Sequence, residues 1–570
     1  MKHFVYDAVV IGTGAAGYQA AIRLEQLGVK VAMVTEGVTC GTSRNTGSDK
    51  QTYYKQGLGG DGPDSVRAMA ADLFAGGCVD GDNALCEAAL STRCFLNLCE
   101  LGVAFPTNRY GEYVGYKTDH DPYARATSAG PLTSKYMTEA LQKQAEALHI
   151  PLYDGCYAVK ILTQQGRVCG LLCLQNGEPV VFCCGDIVMA TGGPAGIYAD
   201  SAYPKGHTGS SGLAIAAGAK MQNLAFWQYG LASVDPRWNV SGTYMQVLPR
   251  FVSVDEDGRE HDFLWEHFAD VHEGLSQVFL KGYQWPFDPK KAQNGSSQID
   301  LLVHRERVEK HRRVFLDFTK NPTQIDFAKL SPEAHGYLSK AGATFGTPIQ
   351  RLQKMNAPAI ALYRDKGVDL TKDYLEIALC AQHCNGGVAV DLWWQSSVRG
   401  LFAVGECAGT HGMTRPGGSA LNAGQVGALR AAQYIARHPN GQADPQTVLR
   451  LARANIPSGK QQPRAIAEAA RRMSDLAGAV REPAKLKDLL RLTLKELPQA
   501  TDVRLQDVLL TQAAVLTAMA DPVTDPGLVQ QVQYRDGRFD LTVRPVRPIP
   551  EADDFFENVW RGYRENQNVF

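Results

Sequence analysis

A short apolar run over residues 5–11 leads straight into Gly12-x-Gly14-x-x-Gly17, then into a helically spaced segment at 18–27 and a second apolar run at 29–34. Nothing else in the chain restricts its fold as strongly. A strand, a tight glycine turn, a helix and a strand in that order make one βαβ unit, with its strands buried in a parallel sheet. The first glycine permits the turn, the second lets the backbone approach a pyrophosphate, and the third lets helix pack on strand; the helix amino terminus faces the negative charge. Ala15 and Ala16, between the second and third glycines, share that site. Glu36 ends the second strand at the spacing where a carboxylate accepts from ribose hydroxyls, which favours an adenosine ribose without a 2′-phosphate. The plain alternative is a glycine-rich turn in another α/β fold, and the combination of strand, helix and acid argues against it.

The chain is 570 residues long, more than one hydrophobic core usually serves, so two or three domains are expected. Lysine and arginine number 58 against 59 acidic residues, which gives no reason to expect nucleic acid or an anionic membrane as partner. No apolar run approaches the roughly 20 residues of a membrane helix, and the amino terminus enters a strand without a charged leader, so a cytoplasmic protein without membrane insertion is expected. The 13 cysteines are odd in number and scattered, which suggests neither a disulfide framework nor an iron–sulfur cluster. Cys380, His383 and Cys384 have the spacing of metal ligands on a helix, but no second cluster completes a site and no metal is expected.

Downstream, a Gly/Ser/Thr-rich loop covers 37–62 and helical spacing runs over about 63–101. Short apolar runs between 151 and 190 suggest a meander with a hairpin turn at Asn176-Gly177, returning to a central strand that ends at Ala190-Thr191-Gly192-Gly193. Composition shifts to aromatic, charged and proline residues between about 235 and 350, which reads as an inserted domain. Helix follows 353, then a strand near 401–404, the loop GECAGTHGMTRPGGSAL and a helix at 423–437. Amphipathic helices fill 441–525, and 530–570 holds a short strand region with a polar tail.

Taken in order, VVIGTGAAGYQAAIRL, ATGGPAGIY, HTGSSGLAIAAGA, AFWQYG, QHCNGGVAVD and GLFAVGECAGTHGMTRPGGSALNAGQVGALRAA resemble the flavoprotein-subunit family of succinate dehydrogenase and fumarate reductase, which includes L-aspartate oxidase. The resemblance implies an α/β, Rossmann-like FAD-binding domain over 1–235 and 353–440, an inserted capping domain over 236–352, and a mainly helical carboxy-terminal region over 441–570. It places Glu406 on the FAD ribityl chain and the amides of Ala420 and Leu421, with Ser419 beside them, on the flavin pyrimidine. Amides at a helix amino terminus stabilise charge gathering there on reduction. Thr42, Ser43, Thr46, Gly47 and Ser48 fall where the chain passes the isoalloxazine. The family's attachment histidine lies in a stretch matching 41–50, and 37–53 holds no histidine, so FAD is expected to be noncovalent.

His383, of H-x-x-G-G, and Arg415, of H-G-x-x-R-x-G-G, match the family's carboxylate clamp, and a guanidinium there implies an anionic or strongly polar substrate. The bland alternatives are a structural ion pair for Arg415 and a packed core histidine for His383. The chain also departs from the family. The capping-domain arginine that delivers the proton is expected near 294–300, where the sequence reads NGSSQID; His304, Arg305 and Arg307 lie beyond it in what reads as a solvated helical face. The Q-F-H-P-T turn becomes Trp227-Gln228-Tyr229-Gly230-Leu231, where Tyr229 offers a hydroxyl, and T-G-D-G becomes Thr208-Gly209-Ser210-Ser211-Gly212, losing an acid. His120, between Asp119 and Asp121, is a candidate base, with a surface turn as its alternative. These changes weaken the case for classical fumarate or succinate chemistry. The expectation is an FAD-dependent oxidoreductase exchanging hydride with a small polar, carboxylate-bearing substrate. The rivals are an enoate reductase with a relocated proton donor and a flavin-binding chain serving an electron-transfer partner protein.

Overall fold

In the computed structural model residues 1–59, 63–118 and 120–551 are described; the end of the 37–62 loop, Asp119 and the polar tail beyond 551 lie outside them. Five parallel strands form the central sheet in the order Leu401–Ala403, Asp186–Met189, Ala8–Ile11, Val31–Val34, Leu152–Tyr153. The run at 5–11, expected as one strand, is divided. Lys2–Val5 pairs with the meander, and Ala8–Ile11 enters the central sheet. Tyr6 and Asp7 make the break: Asp7 N donates to Lys30 O at 2.9 Å and Lys30 N to Asp7 Oδ2 at 3.1 Å, anchoring the corner where the chain changes sheets.

Helix Ala15–Gln26 packs along helix Ser419–Arg437, the two ends of the sequence-predicted site. They approach closely because Ala16 faces Gly405 and Gly424; a Cβ on either glycine would crowd the Ala16 methyl. The meander forms as expected from Cys156–Gln164, Arg167–Gln175 and Glu178–Cys183, with Asn176 and Gly177 both at positive φ in its turn.

A second sheet of six strands has the order Trp238–Asn239, Trp227–Ser233, Leu375–Cys384, Arg313–Asp317, Arg250–Val254, Glu260–His261. Leu375–Cys384 was expected as helix and is a ten-residue strand, so Cys380, His383 and Cys384 do not share a helix face. The sequence LEIALCAQHC does not alternate cleanly because the strand is covered on both sides, and a doubly covered strand loses the two-residue period. A separate core around Trp238, Phe251, Val314 and Leu316 also takes in Ala359, Ile360 and Tyr363 from helix Pro348–Asp365. The boundary expected at 352 therefore falls inside a helix, which kinks at Asn356 ahead of Pro358.

The carboxy-terminal region supplies helices Pro445–Arg453, Pro463–Leu476, Pro483–Glu496 and Val503–Ala520. A hairpin follows, Leu528–Arg535 with Arg538–Pro545. It joins Met221–Gln222 and Gly387–Val388 in a four-stranded sheet, so this region is stitched to the rest of the chain through backbone pairing. No described helix is long and apolar enough to cross a membrane.

Candidate active site

One cavity of about 780 Å³ runs from the amino-terminal glycine turn past the strand carrying His383 to residues 282–291 of the inserted segment. Its floor at one end is the entry of helix Ala15–Gln26. Gly14 has no side chain to cap that helix and the first turn holds no acid, so its positive end faces the cavity, with the Ala15 amide bonded to Ser43 Oγ at 3.3 Å. Gly12 sits at φ +108°, and a Cβ there would collide with Ala190 O; Gly17 packs its Cα against Gly12 O and does not line the cavity. Gly14, Ala15, Ala16, Ala190, Thr191 and Gly192 do line it, as does Glu36.

The polar loop after Glu36 forms the adjoining wall. Thr42–Asn45 is a single helical turn, and Ser43 Oγ accepts from Ala15 N at 3.3 Å, which brings Thr42, Ser43, Thr46, Gly47 and Ser48 to the cavity. Asp49, buried behind this loop, accepts from Thr243 N at 3.0 Å and Thr243 Oγ1 at 2.9 Å, and from Asn356 Nδ2, which ties the loop to the inserted segment.

At the far end, Gly405–Cys407 forms a short 3₁₀ turn and aims Glu406 at Gly193, where a Cβ would displace the carboxylate. Glu406 Oε1 accepts from Cys384 N at 3.1 Å, and burial raises its pKa to about 7 against the pull of Tyr203, that amide and Arg415. Ala420 and Leu421 line the cavity at the entry of helix Ser419–Arg437, behind Gly418 at φ +88°; Leu421 N makes a long 3.3 Å bond to Gly418 O. Ser419 is buried beside them and does not reach the cavity surface.

Arg415 and His383 meet in this cavity. Arg415 Nη2 donates to Gln228 Oε1 at 2.9 Å, while its Nε is buried without a partner. Burial lowers its pKa to about 10, and Glu406 and Tyr203 oppose that shift, so the guanidinium stays charged at neutral pH. Asn385 Nδ2 donates to Met413 O at 3.2 Å, which turns Oδ1 toward His383 Nδ1 at 3.0 Å. Nδ1 therefore carries the proton and Nε2 the lone pair, and Nε2 is buried with no hydrogen-bond partner. Burial, Arg415 and His411 all hold His383 well below the usual imidazole pKa, so it is neutral.

Other candidates are placed differently. Tyr229 is absent from the cavity wall: its hydroxyl lies 3.2 Å from both Tyr198 Oη and Ala477 O. Gln228 and Tyr229 are neighbours in one strand and face opposite sides of the sheet, while the register shift beside them leaves Gln382 of the facing strand as the extra residue; Gln228, which sequence reasoning passed over, is the one that faces Arg415. His120 is exposed at positive φ on the cavity rim. Asp121 does not flank it as a partner, because its carboxylate accepts from Tyr54 Oη and from the amides of Tyr123 and Arg125. Arg307 pairs with Glu376 at 3.0 Å and Asp200 at 3.4 Å, Arg305 lies beside Glu309, and neither they nor His304 line the cavity. From the inserted segment the lining cations are Lys290 and Lys291. The acid missing from the 208–212 turn is supplied from elsewhere: buried Asp507 accepts from Thr208 Oγ1 at 3.0 Å and Gly212 N at 2.9 Å.

A glycine-lined helix entry, an acid at the end of the next strand and a second helix entry across one cavity define a dinucleotide-binding flavoprotein of the α/β class. Residues 7–421 match the family model described as FAD binding domain. A fumarate reductase (CoM/CoB) chain of Methanothermobacter marburgensis is 24% identical over 446 residues, covering 76% of this chain and 72% of its own. L-aspartate oxidase of Mesorhizobium japonicum is 25% identical over 455 residues, covering 76% of each. Among solved structures, Sdh1 of Mycobacterium smegmatis in complex with UQ1 superposes with a TM-score of 0.75 at 19% identity, covering 99% of this chain and 98% of its own. The chain belongs to the FAD-binding domain family of succinate dehydrogenase and fumarate reductase flavoproteins, and its cofactor is FAD. The residues fit that group: the turn at Gly12 and the contact of Gly193 with Glu406 leave no room for a side chain, and neither helix entry carries an acid in its first turn.

Proposed function

We propose that FAD, held noncovalently along this cavity, exchanges hydride with a small polar substrate bearing a carboxylate, clamped by Arg415 and His383, and that the 236–352 segment caps the site. FAD when bound supplies the two-electron chemistry. The observation that carries the reading is that two buried nitrogens without hydrogen-bond partners, Arg415 Nε and His383 Nε2, the latter 3.8 Å from Glu406 Oε1, belong to residues lining one cavity. Such groups are costly unless a ligand satisfies them. Arg415 is a donor and suits the carboxylate; neutral His383 presents a lone pair, which suits an O–H or N–H on the neighbouring carbon. A 2-hydroxy or 2-amino acid offers both. His383 Nε2 then accepts the proton that leaves the substrate oxygen or nitrogen as the adjacent C–H gives up hydride. The curated relatives named for fumarate and L-aspartate act within the same class of small carboxylates. Re-oxidation falls to an external carrier or an electron-transfer partner protein; the Mycobacterium neighbour solved with UQ1 is a precedent. The opposite direction, reduction of an enoate, needs an acid in the wall, and Lys290 and Lys291 are the capping-segment cations that reach it.

Titration of FAD-loaded protein with small 2-hydroxy and 2-amino acids tests the clamp. Saturable shifts of the flavin bands are expected in the wild type and should vanish in Arg415→Ala with its flavin retained. Equal shifts in both proteins would overturn the assignment.

A further inference from the structure

Arg504 stands in the first turn of helix Val503–Ala520, 468 residues from Glu36 in sequence, yet its Nη2 donates to Glu36 Oε1. Its guanidinium lies 4.2 Å from the centre of the Tyr157 ring. Arg504, Glu36 and Tyr157 all line the cavity. The arginine is fixed from behind by Asp502, which caps the helix by accepting from Arg504 N at 2.9 Å. One turn further on, Asp507 grips Thr208 and Gly212, so a single carboxy-terminal helix braces two stretches of the cavity wall.

The Glu36–Arg504 pair is 48% and 37% exposed, and exposed pairs of this kind add little to folding stability. Its chemistry matches a nucleoside. The second carboxylate oxygen of Glu36 is of the kind that accepts from a ribose hydroxyl, the guanidinium offers further donors, and a flat cation beside an aromatic ring extends a surface suited to stacking a purine. We infer that the carboxy-terminal helix is a third wall of the dinucleotide site and that Arg504, with Tyr157, binds the adenosine half of FAD. This rests on the FAD assignment.

The test compares FAD and FMN binding to apoprotein by equilibrium dialysis, for wild type, Arg504→Met and Arg504→Lys, with thermal melts as a check on folding. Met keeps the apolar stem over Tyr157 and removes the guanidinium. FAD should bind about tenfold more weakly to Arg504→Met, with a smaller loss for Arg504→Lys, while FMN, which lacks the adenosine, binds all three alike. FAD affinity unchanged in Arg504→Met, or FAD and FMN weakened together, would overturn the inference. A wild type that retains neither flavin would sink the FAD assignment itself.

Discussion

Arg415 and His383 show what a residue-level reading reaches. Their motifs H-G-x-x-R-x-G-G and H-x-x-G-G mark both as clamp candidates, and the cavity holds both. The tautomer of His383 was not legible, because it depends on the orientation of Asn385, which in turn is set by Met413 O. Tyr229 misled for a related reason: neighbouring residues of a strand face opposite sides of the sheet, the sequence does not mark which side holds the cavity, and Gln228 is the one that faces it. Buried acids were likewise invisible. Glu87 lies on helix Gly81–Glu100 at 3% exposure, and burial raises its pKa to about 8. A carboxyl raised in the folded state contributes its full stability only below the unfolded value of about 4.5, and that contribution falls as pH climbs through about 8. Glu87→Gln should therefore match the wild type in urea denaturation at pH 4 and exceed it at pH 9 by roughly 2 kcal/mol or more. Equal stabilities at pH 9 would show that the carboxyl is not held neutral.

Among elements, the amino-terminal turn and helix were legible, since the glycines serve backbone geometry that no other residue satisfies, whereas the break of the 5–11 run between two sheets was not. Gly12 at positive φ against Ala190 O is the clearest case. The strand Leu375–Cys384 was not, because it is covered on both sides and its sequence lacks the two-residue alternation that marks a half-buried strand. The loop presenting Trp285 through Lys291 to the cavity is held by an element-level device equally hidden in sequence. Lys281 Nζ donates to Asp300 Oδ2 at 2.7 Å, Trp285 O at 2.8 Å and Gln284 O at 3.0 Å, with both charged side chains fully buried. Removing the cation strands the carboxylate in the interior. Lys281→Met should cost about 3–5 kcal/mol in denaturant unfolding, and Lys281→Met combined with Asp300→Leu should recover much of that loss. A single variant as stable as the wild type would contradict the buried pair.

The whole molecule divides its legibility by sequence distance. The glycine turn, the meander and the second helix entry lie in motifs compact enough to read, and all three contribute to the wall of the cavity proposed for FAD. What joins distant segments was out of reach: Asp507 serving the 208–212 turn, Arg504 meeting Glu36, and the terminal hairpin pairing with Met221–Gln222. Each is a contact across hundreds of residues, and neither spacing nor periodicity encodes it. At this scale the noncovalent assignment has a simple check. Acid precipitation of the loaded protein should leave the yellow colour in the supernatant, whereas colour in the pellet would mean a covalent flavin. The central claim is that Arg415 presents a small carboxylate to the flavin for hydride exchange. Anaerobic stopped-flow spectra of FAD-loaded wild type and Arg415→Ala, mixed with a panel of 2-hydroxy, 2-amino and saturated dicarboxylic acids, and, after pre-reduction, with enoates, test it most directly. The account predicts that at least one acid bleaches or re-oxidises the wild-type flavin, and that the variant, flavin intact, is slower by about a hundredfold or more. Flavin in the loaded wild type that answers to no carboxylate, or a variant that reacts as fast as the wild type, would contradict it.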